Sequence, residues 1–423
     1  MTFKIYTLGC KVNSYESNVI RNNLLENGYQ ETKNKADIYV INTCTVTNAS
    51  DTKSHHIIRR CKRLNNAAII VVCGCMTQQN SDVKEASIIL GNKYKNNISE
   101  LIEEYKQSGK KIVLVEDITT AEFEEMKITH SDKTRAFVKI EDGCNNYCAY
   151  CIIPYVRGRV RSKKPEHVLS EIKDLVQKGH KEIILTGIHT GQYGIDLDNY
   201  SFTDLLKEII NIPSLERLRI SSIEITEINE TFLSIIKNNK KIVDHLHIPL
   251  QSGSDDILLS MNRKYNIKFF KEQVKKIRTI RPNISLTTDI IVGFPGETED
   301  YYQETIQAIN SISFSKIHVF PFSLKKGTKA ELLSNQNDNK TTTNRVNELL
   351  ELSKKLETYY MEKFLNKDVS IIPEKYKDGF LIGHTGNYIL VKAKSDEYLS
   401  DTVTVTIKSI EYPYCVGEIK RES

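Results

Sequence analysis

Two stretches in which strand and helix patterns alternate constrain this chain more than anything else in it. In the first hundred residues, apolar runs at Phe3 to Leu8, Asp37 to Asn42 and Ala68 to Val72 read as strands. The segments Ser14 to Asn27 and Asn48 to Leu64 between them read as helices. This βαβαβ order predicts a parallel, doubly wound sheet, because parallel neighbours need a crossover connection. A second series begins near residue 135, with strands expected near 135–140, 182–186, 217–222, 244–248, 285–292 and 316–320. Six βα units in one body predict a partial (βα)6 barrel, whose chemistry belongs at the C-terminal ends of its strands. A long helix is expected from Thr341 to Leu365. After it, short β-rich runs (Val369 to Ile372, Tyr388 to Val391, Val403 to Ile407) separated by glycine turns predict a small all-β module. The polar, weakly patterned residues 106–130 read as a linker. The chain is thus read as an α/β protein in three parts: 1–108, 130–362 and 363–423.

The nine cysteines carry the next step. An odd number, in a chain whose N-terminus (MTFKIYTLGCKVN) has no signal-length apolar segment, argues for metal or redox chemistry over a disulfide framework. A cytoplasmic protein without a membrane span is expected, since the most apolar run, Ala67 to Cys75, is far too short to cross a bilayer. Cys144, Cys148 and Cys151 form C-x3-C-x2-C on a tight loop after the first barrel strand. Three thiolates there can hold three irons of a [4Fe–4S] cluster and leave the fourth iron open. Zinc is the weaker reading, because it asks for four ligands in paired knuckles and no second pair lies nearby.

Cys10, Cys44 and Cys75 are distant in sequence, but each falls within a few residues of the end of a predicted parallel strand: YTLGC, VINTC and VVCGC. Such strand ends share one sheet edge, so three thiolates can converge without a local motif. The alternative is that they are buried free cysteines acting as small hydrophobes. Cys73 lies two residues before Cys75 and competes with it for the same role, whereas Cys61 and Cys415 read as bystanders.

With both cysteine sets in view, the chain resembles the methylthiotransferase family of radical S-adenosylmethionine (SAM) enzymes from end to end. The resemblance rests on TLGCKVNSYES, INTCTV and GC in the first part and on GCNNYCAYCIIPYVRGRVRS in the second. It implies a half-Rossmann N-terminal domain, a radical SAM core and a C-terminal TRAM-like module that grips RNA. It selects Cys75 over Cys73, through Gly74-Cys75, and implies two [4Fe–4S] clusters. SAM would chelate the open iron and be cleaved reductively to a 5′-deoxyadenosyl radical, with Tyr150 near its adenine. Barrel geometry and resemblance together place Thr186, Gly187, Glu224, Gln251, Asp289 and Gly293 around SAM. An electron donor such as a flavodoxin or ferredoxin, a tRNA substrate and a monomeric state complete the expectation.

Within the family, TLGCKVNSYE, LTGIHTGQYG, RISSIE and HLHIPLQSGSD look most like the branch that modifies threonylcarbamoyladenosine in tRNA. The isopentenyladenosine branch typically carries a glutamine-methionine pair where this chain has Lys11-Val12. The branch acting on a ribosomal-protein aspartate carries proline-lysine there. An electron carrier or a non-catalytic iron–sulfur RNA-binding protein are rivals from other classes; a carrier would saturate its cluster with four cysteines.

Net charge is only +5, so partners must be read from its distribution. The run Arg157, Arg159, Arg161, Lys163, Lys164 directly follows the cysteine loop and reads as a phosphate-facing rim. From Lys363 onward nine Lys/Arg balance nine Asp/Glu, so any RNA grip by that module needs a local patch or stacking, with Tyr388, Tyr412 and Tyr414 as candidates. His245 and His247 alternate along one strand and share a face, the ordinary pattern of core histidines.

Overall fold

Nearly continuous apolar runs make the first sheet. In the computed structural model, which describes residues 1–130 and 134–420, six parallel strands lie in the order Gln30–Glu31, Thr2–Thr7, Ile38–Thr43, Ile69–Gly74, Ile88–Leu90, Ile112–Leu114. The two central strands are buried on both faces, as expected where helices cover a parallel sheet on both sides. Helix Lys11–Glu26 begins three residues before the expected start, because Cys10 caps it without a side-chain hydrogen bond and so leaves no sequence signal.

The stretch read as a linker is not one. Ile112–Leu114 supplies the sixth strand, and Met126 and Ile128 are buried in the core of the following body. Few apolar residues spaced without period carry this packing, so periodicity could not reveal it. The final residues assigned to the C-terminal module, 421–423, lie outside the described residues.

The second body consists of Arg135–Lys139, Glu182–Thr186 and Arg217–Ile220 in one parallel set and His245–His247, Ser285–Val292 and Lys316–Pro321 in another. Bridges from Leu218 to Ile242 and from Ser222 to His247 join the two into one six-stranded open barrel. Strand alternation sorts its residues. Val138, Ile183, Leu185, Leu218, Leu286 and Ile290 pack outward against the helices in the main core. Their neighbours Arg135, Glu182, Arg219, His245, His247 and Asp289 alternate with them and face the interior, where they pair with one another.

Helix Asn339–Glu362 packs along the last barrel strand and leads into a closed five-stranded barrel, residues 368–419. That small barrel docks at the N-terminal ends of the large barrel's strands. Arg135 binds Glu374 at 2.9 Å, and Arg217 donates to the Ser370 carbonyl at 2.8 Å. Tyr388 plugs this end between His245 and His384, with ring centroids 4.9 and 4.7 Å away, and the Arg219 guanidinium lies 4.7 Å from its ring. Its faces are therefore engaged and offer no free platform for a base, contrary to its candidacy for RNA stacking. Tyr412 is 43% exposed and donates to Glu357, while Tyr414 lies under Lys392.

Candidate active site

Both cysteine sets stand at the C-terminal ends of their strands, at the opposite end of the barrel from the C-terminal module. The loop bearing Cys144, Cys148 and Cys151 is held by its backbone. Gly143 has φ +87, and a Cβ there would lie 2.0 Å from the Arg159 carbonyl oxygen. Cys144 N–H donates to Gly158, and Ala149 N–H to Met261. The side-chain amide of Asn262 donates to the Asn146 and Tyr147 carbonyls. Arg263 reaches in from the same segment: Nη1 lies 3.3 Å from Cys148 Sγ, and its other terminal nitrogen pairs with Glu224. His189 Nδ1 lies 3.4 Å from Cys144 Sγ. Burial pushes the Cys151 thiol up to about 12, with the neighbouring Cys148 adding to the shift, and raises Cys144 as well.

The second set forms where the first sheet's strands end. Gly9 has φ +95, and a Cβ on it would meet Cys44 Cβ at 2.8 Å, so the turn before Cys10 runs directly over Cys44. Gly74 has φ +107 and abuts the Thr43 carbonyl oxygen, which turns the chain so that Cys75 opens a short helix. Asn13 ties the turns together by donating to the Leu8 and Thr43 carbonyls at 2.7 and 2.9 Å. Burial raises the Cys10 thiol against the pull of Arg157, and raises Cys44 with Cys75 and Cys10 as electrostatic neighbours. Cys73 points the other way, fully buried in the core with Phe3, Val40 and Ile88, and burial lifts it to about 12. Cys61 and Cys415 are likewise packed in cores, away from both sets.

Arg157 joins the two sets. Its Nε lies 3.2 Å from Cys75 Sγ, Nη2 donates to Asn13 Oδ1 at 2.7 Å, and Nη1 binds both Glu16 and Asp142 at 3.0 Å. Lys139 bonds Glu16 and Asp142, and Lys95 bonds Glu16. All five charged side chains are buried. Burial works to raise the carboxyls of Glu16 and Asp142, but Arg157 and the two lysines outweigh it and hold both below the usual carboxylate range. The expected phosphate-facing rim therefore folds largely inward: Arg157 and Lys163 are 0% and 1% exposed. Lys163 pairs with Glu171, Arg161 is half-buried, and Arg159 and Lys164 are exposed. A charge run alone cannot signal this, because the acidic partners lie far away in sequence.

A cavity of about 210 Å³ lies between the cysteine loop, the barrel and the first body. Tyr150, Cys151, Gln251 and Asp289 line it together with Val46, Thr47 and Phe320. Gln251 adopts φ +66 and joins the barrel edge through backbone bonds with Asp289 and Ile291. Glu224 reaches the cysteine loop through Arg263. Thr186 ends its strand hydrogen-bonded to Ser221, and a Cβ on Gly187 would meet Glu141 Oε1 at 2.0 Å; neither residue lines the cavity. Gly293 lies elsewhere, against Thr342 of the long helix. A larger hollow, about 940 Å³, follows His55, His56, Arg59 and Arg63 on helix Asn48–Leu64 and contains no cysteine.

Among the described residues, no three His, Cys, Asp or Glu side chains are grouped to hold a single metal ion. A cubane cluster takes each thiolate on a different iron, so its ligands stand farther apart than those of one ion. The surroundings suit such a group. Three buried cations, Arg157, Lys139 and Lys95, face two carboxylates, leaving one positive charge in excess beside Cys75 and Cys10. An anionic thiolate cluster satisfies that excess.

Comparison with known proteins agrees with this architecture. Residues 138–309 match the radical SAM superfamily, and residues 2–90 match the uncharacterized protein family UPF0004. A relative from Bacillus subtilis (strain 168), threonylcarbamoyladenosine tRNA methylthiotransferase MtaB, is 40% identical over 99% of this chain and 96% of its own length. The MtaB of Aquifex aeolicus is 37% identical over 95% of this chain and 98% of its own length. A tRNA-2-methylthio-N(6)-dimethylallyladenosine synthase from Lachnoclostridium phytofermentans is 33% identical over 100% of this chain and 96% of its own. Among solved structures, the radical SAM methyltransferase TsrM from Kitasatospora setae shares the fold, with a TM-score of 0.57 at 13% identity over 78% of this chain and 76% of that one. Among the described residues, no helix is long and apolar enough to cross a membrane. Matched along nearly its whole length by these relatives, the chain belongs to the methylthiotransferase family of radical SAM enzymes.

Proposed function

We propose that this protein is a tRNA methylthiotransferase that places a methylthio group on C2 of threonylcarbamoyladenosine next to the anticodon. The observation that carries the reading is full-length likeness to MtaB proteins at 37–40% identity, against 33–34% for the dimethylallyladenosine synthases. Two thiol triads flanking one buried arginine support it. Cys144, Cys148 and Cys151 hold one [4Fe–4S] cluster, with SAM at its open iron, and Cys10, Cys44 and Cys75 hold the other. When bound, these groups supply hydrogen abstraction from an unactivated aromatic carbon and a source of sulfur, neither of which a side-chain acid or base can provide.

The chain's own residues position and shield. Tyr150, Gln251 and Asp289 shape the cavity beside Cys151. Arg263, anchored by Glu224, directs a guanidinium N–H at Cys148. Arg157 fixes the Cys75 side of the other triad to the radical body. Val46, Ile152 and Phe320 close the space between the triads to bulk water. The protein acts in the cytoplasm, where tRNA and a flavodoxin or ferredoxin donor are available, and as a monomer.

The test is mass spectrometry of tRNA nucleosides from cells with and without the gene. Loss of the methylthio form of threonylcarbamoyladenosine, with its precursor rising, is expected. A change confined to the isopentenyl nucleoside, or to neither nucleoside, overturns the assignment.

A further inference from the structure

Lys11 opens the first long helix immediately after Cys10 and extends toward the barrel. It lies within electrostatic reach of Arg219, Arg135 and Asp289, residues of three different barrel strands. Its side chain therefore reaches over the barrel interior while retaining solvent access. The other groups facing that interior are His245, His247 and His318. The nearby acids already have cations. Glu182 binds Arg219 at 2.6 Å, Glu374 binds Arg135 at 2.9 Å, and Asp289 lies 3.2 Å from His247 Nε2. Lys11 itself has no hydrogen-bond or ion-pair partner among the described residues. Below it, Arg219 Nη1 and His245 Nδ1 are buried without a hydrogen-bond partner, although the two residues are 1% and 5% exposed.

A cation held among like charges, with unsatisfied nitrogens beneath it, is costly unless an anion arrives. The anion must also stand near the reacting purine, because Lys11 is the residue next to Cys10. A backbone phosphate is separated from the purine by the ribose. A threonylcarbamoyl group carries a free carboxylate on the purine's own N6 substituent, whereas a dimethylallyl group offers only hydrocarbon.

We propose that Lys11, backed by Arg219 and the interior histidines, forms a carboxylate subsite that receives the threonyl carboxylate of the substrate nucleoside. The proposal rests on the threonylcarbamoyladenosine reading above. It makes Lys11 a specificity residue: a hydrocarbon substituent leaves the ammonium and Arg219 unpaired, which disfavours that substrate. SAM also carries a carboxylate, so the test must separate the two sources. Arg263 beside Cys148 is the cation on the SAM side, and Lys11 is the cation on the Cys10 side.

The experiment uses the full-length protein with both clusters reconstituted. The probes are an anticodon stem-loop bearing threonylcarbamoyladenosine and the same stem-loop with the threonyl carboxylate blocked as its methyl ester. Binding is read by fluorescence anisotropy and SAM cleavage by 5′-deoxyadenosine formed without RNA. Wild type should bind the acid about thirtyfold tighter than the ester or better. Lys11→Gln should lose that preference by weakening the acid alone, Lys11→Arg should restore most of it, and RNA-free SAM cleavage should be unchanged in both. Equal binding of acid and ester by a wild type that methylthiolates the acid overturns the subsite alone. So does a Lys11→Gln protein that keeps the preference, or one whose RNA-free SAM cleavage collapses, which would assign Lys11 to the cofactor. A wild type that methylthiolates no threonylcarbamoyl RNA overturns the functional reading and the subsite with it.

Discussion

Arg157 and Cys75 meet across the boundary between the two catalytic bodies: the guanidinium Nε lies 3.2 Å from the thiol sulfur. Arg157 follows the radical cysteine loop by six residues, so one side chain ties the geometry of each triad to the other. Arg157→Met should strand Glu16 and Asp142 as buried charges, at a cost of about 3–5 kcal/mol. Thermal melting should fall, and iron bound after reconstitution should drop at the N-terminal triad. Arg157→Lys keeps the charge but cannot serve Cys75, Asn13 and Asp142 together, so it should be intermediate. Unchanged melting and full iron content in Arg157→Met would sink this account.

The cysteines divide by function. Cys148→Ala should abolish 5′-deoxyadenosine formation while iron at the N-terminal triad persists. Cys75→Ala should spare SAM cleavage and block methylthiolation. Cys73→Ala, in a packed core, should cost about 1 kcal/mol of stability and leave activity nearly intact. An inactive Cys73→Ala with normal folding would reverse the ligand choice.

Glu224 acts through Arg263. Glu224→Gln removes the anion that anchors the guanidinium beside Cys148, so SAM cleavage should slow by about tenfold to a hundredfold. Arg263→Gln should do the same or more, and the double variant should be little worse than Arg263→Gln alone. Effects that simply multiply would mean that the two residues act independently.

Docking of the C-terminal barrel should depend on pH through Glu374. Burial works to raise its carboxyl, but His384 and Arg135 outweigh burial and hold it below the usual range. A carboxyl depressed in the docked state stabilises docking above its free value of about 4.3, and the contribution is lost as pH falls through the docked value. Thermal melts at pH 7 and pH 4 should show wild type losing about 1 kcal/mol more than Glu374→Gln. The same pH dependence in both proteins would assign it to other groups.

The fold was legible where apolar runs were long. The six barrel strands and helix Asn48–Leu64 could be placed from periodicity, and the convergence of Cys10, Cys44 and Cys75 followed from strand ends alone. What could not be read were relations between distant residues. Arg157 sits in a basic run that looks like surface until Glu16, some 140 positions earlier, comes to face it. Lys11 looked like a family marker, and only the fold brings it to Asp289 and Arg219. Ile112–Leu114 was too short and too flanked by polar residues to register as a strand.

The buried ionic knot also has a temporal consequence. Glu16 lies on the first long helix to leave the ribosome, and Lys95, Lys139, Asp142 and Arg157 follow it one after another. Until residue 157 emerges, the N-terminal sheet carries a carboxylate with an incomplete set of partners and cannot dry its edge. The N-terminal domain therefore cannot mature ahead of the radical core during synthesis. Delivery of iron and sulfur to Cys10, Cys44 and Cys75 waits on translation of the second body, and a truncated product ending before residue 157 should be recovered metal-free.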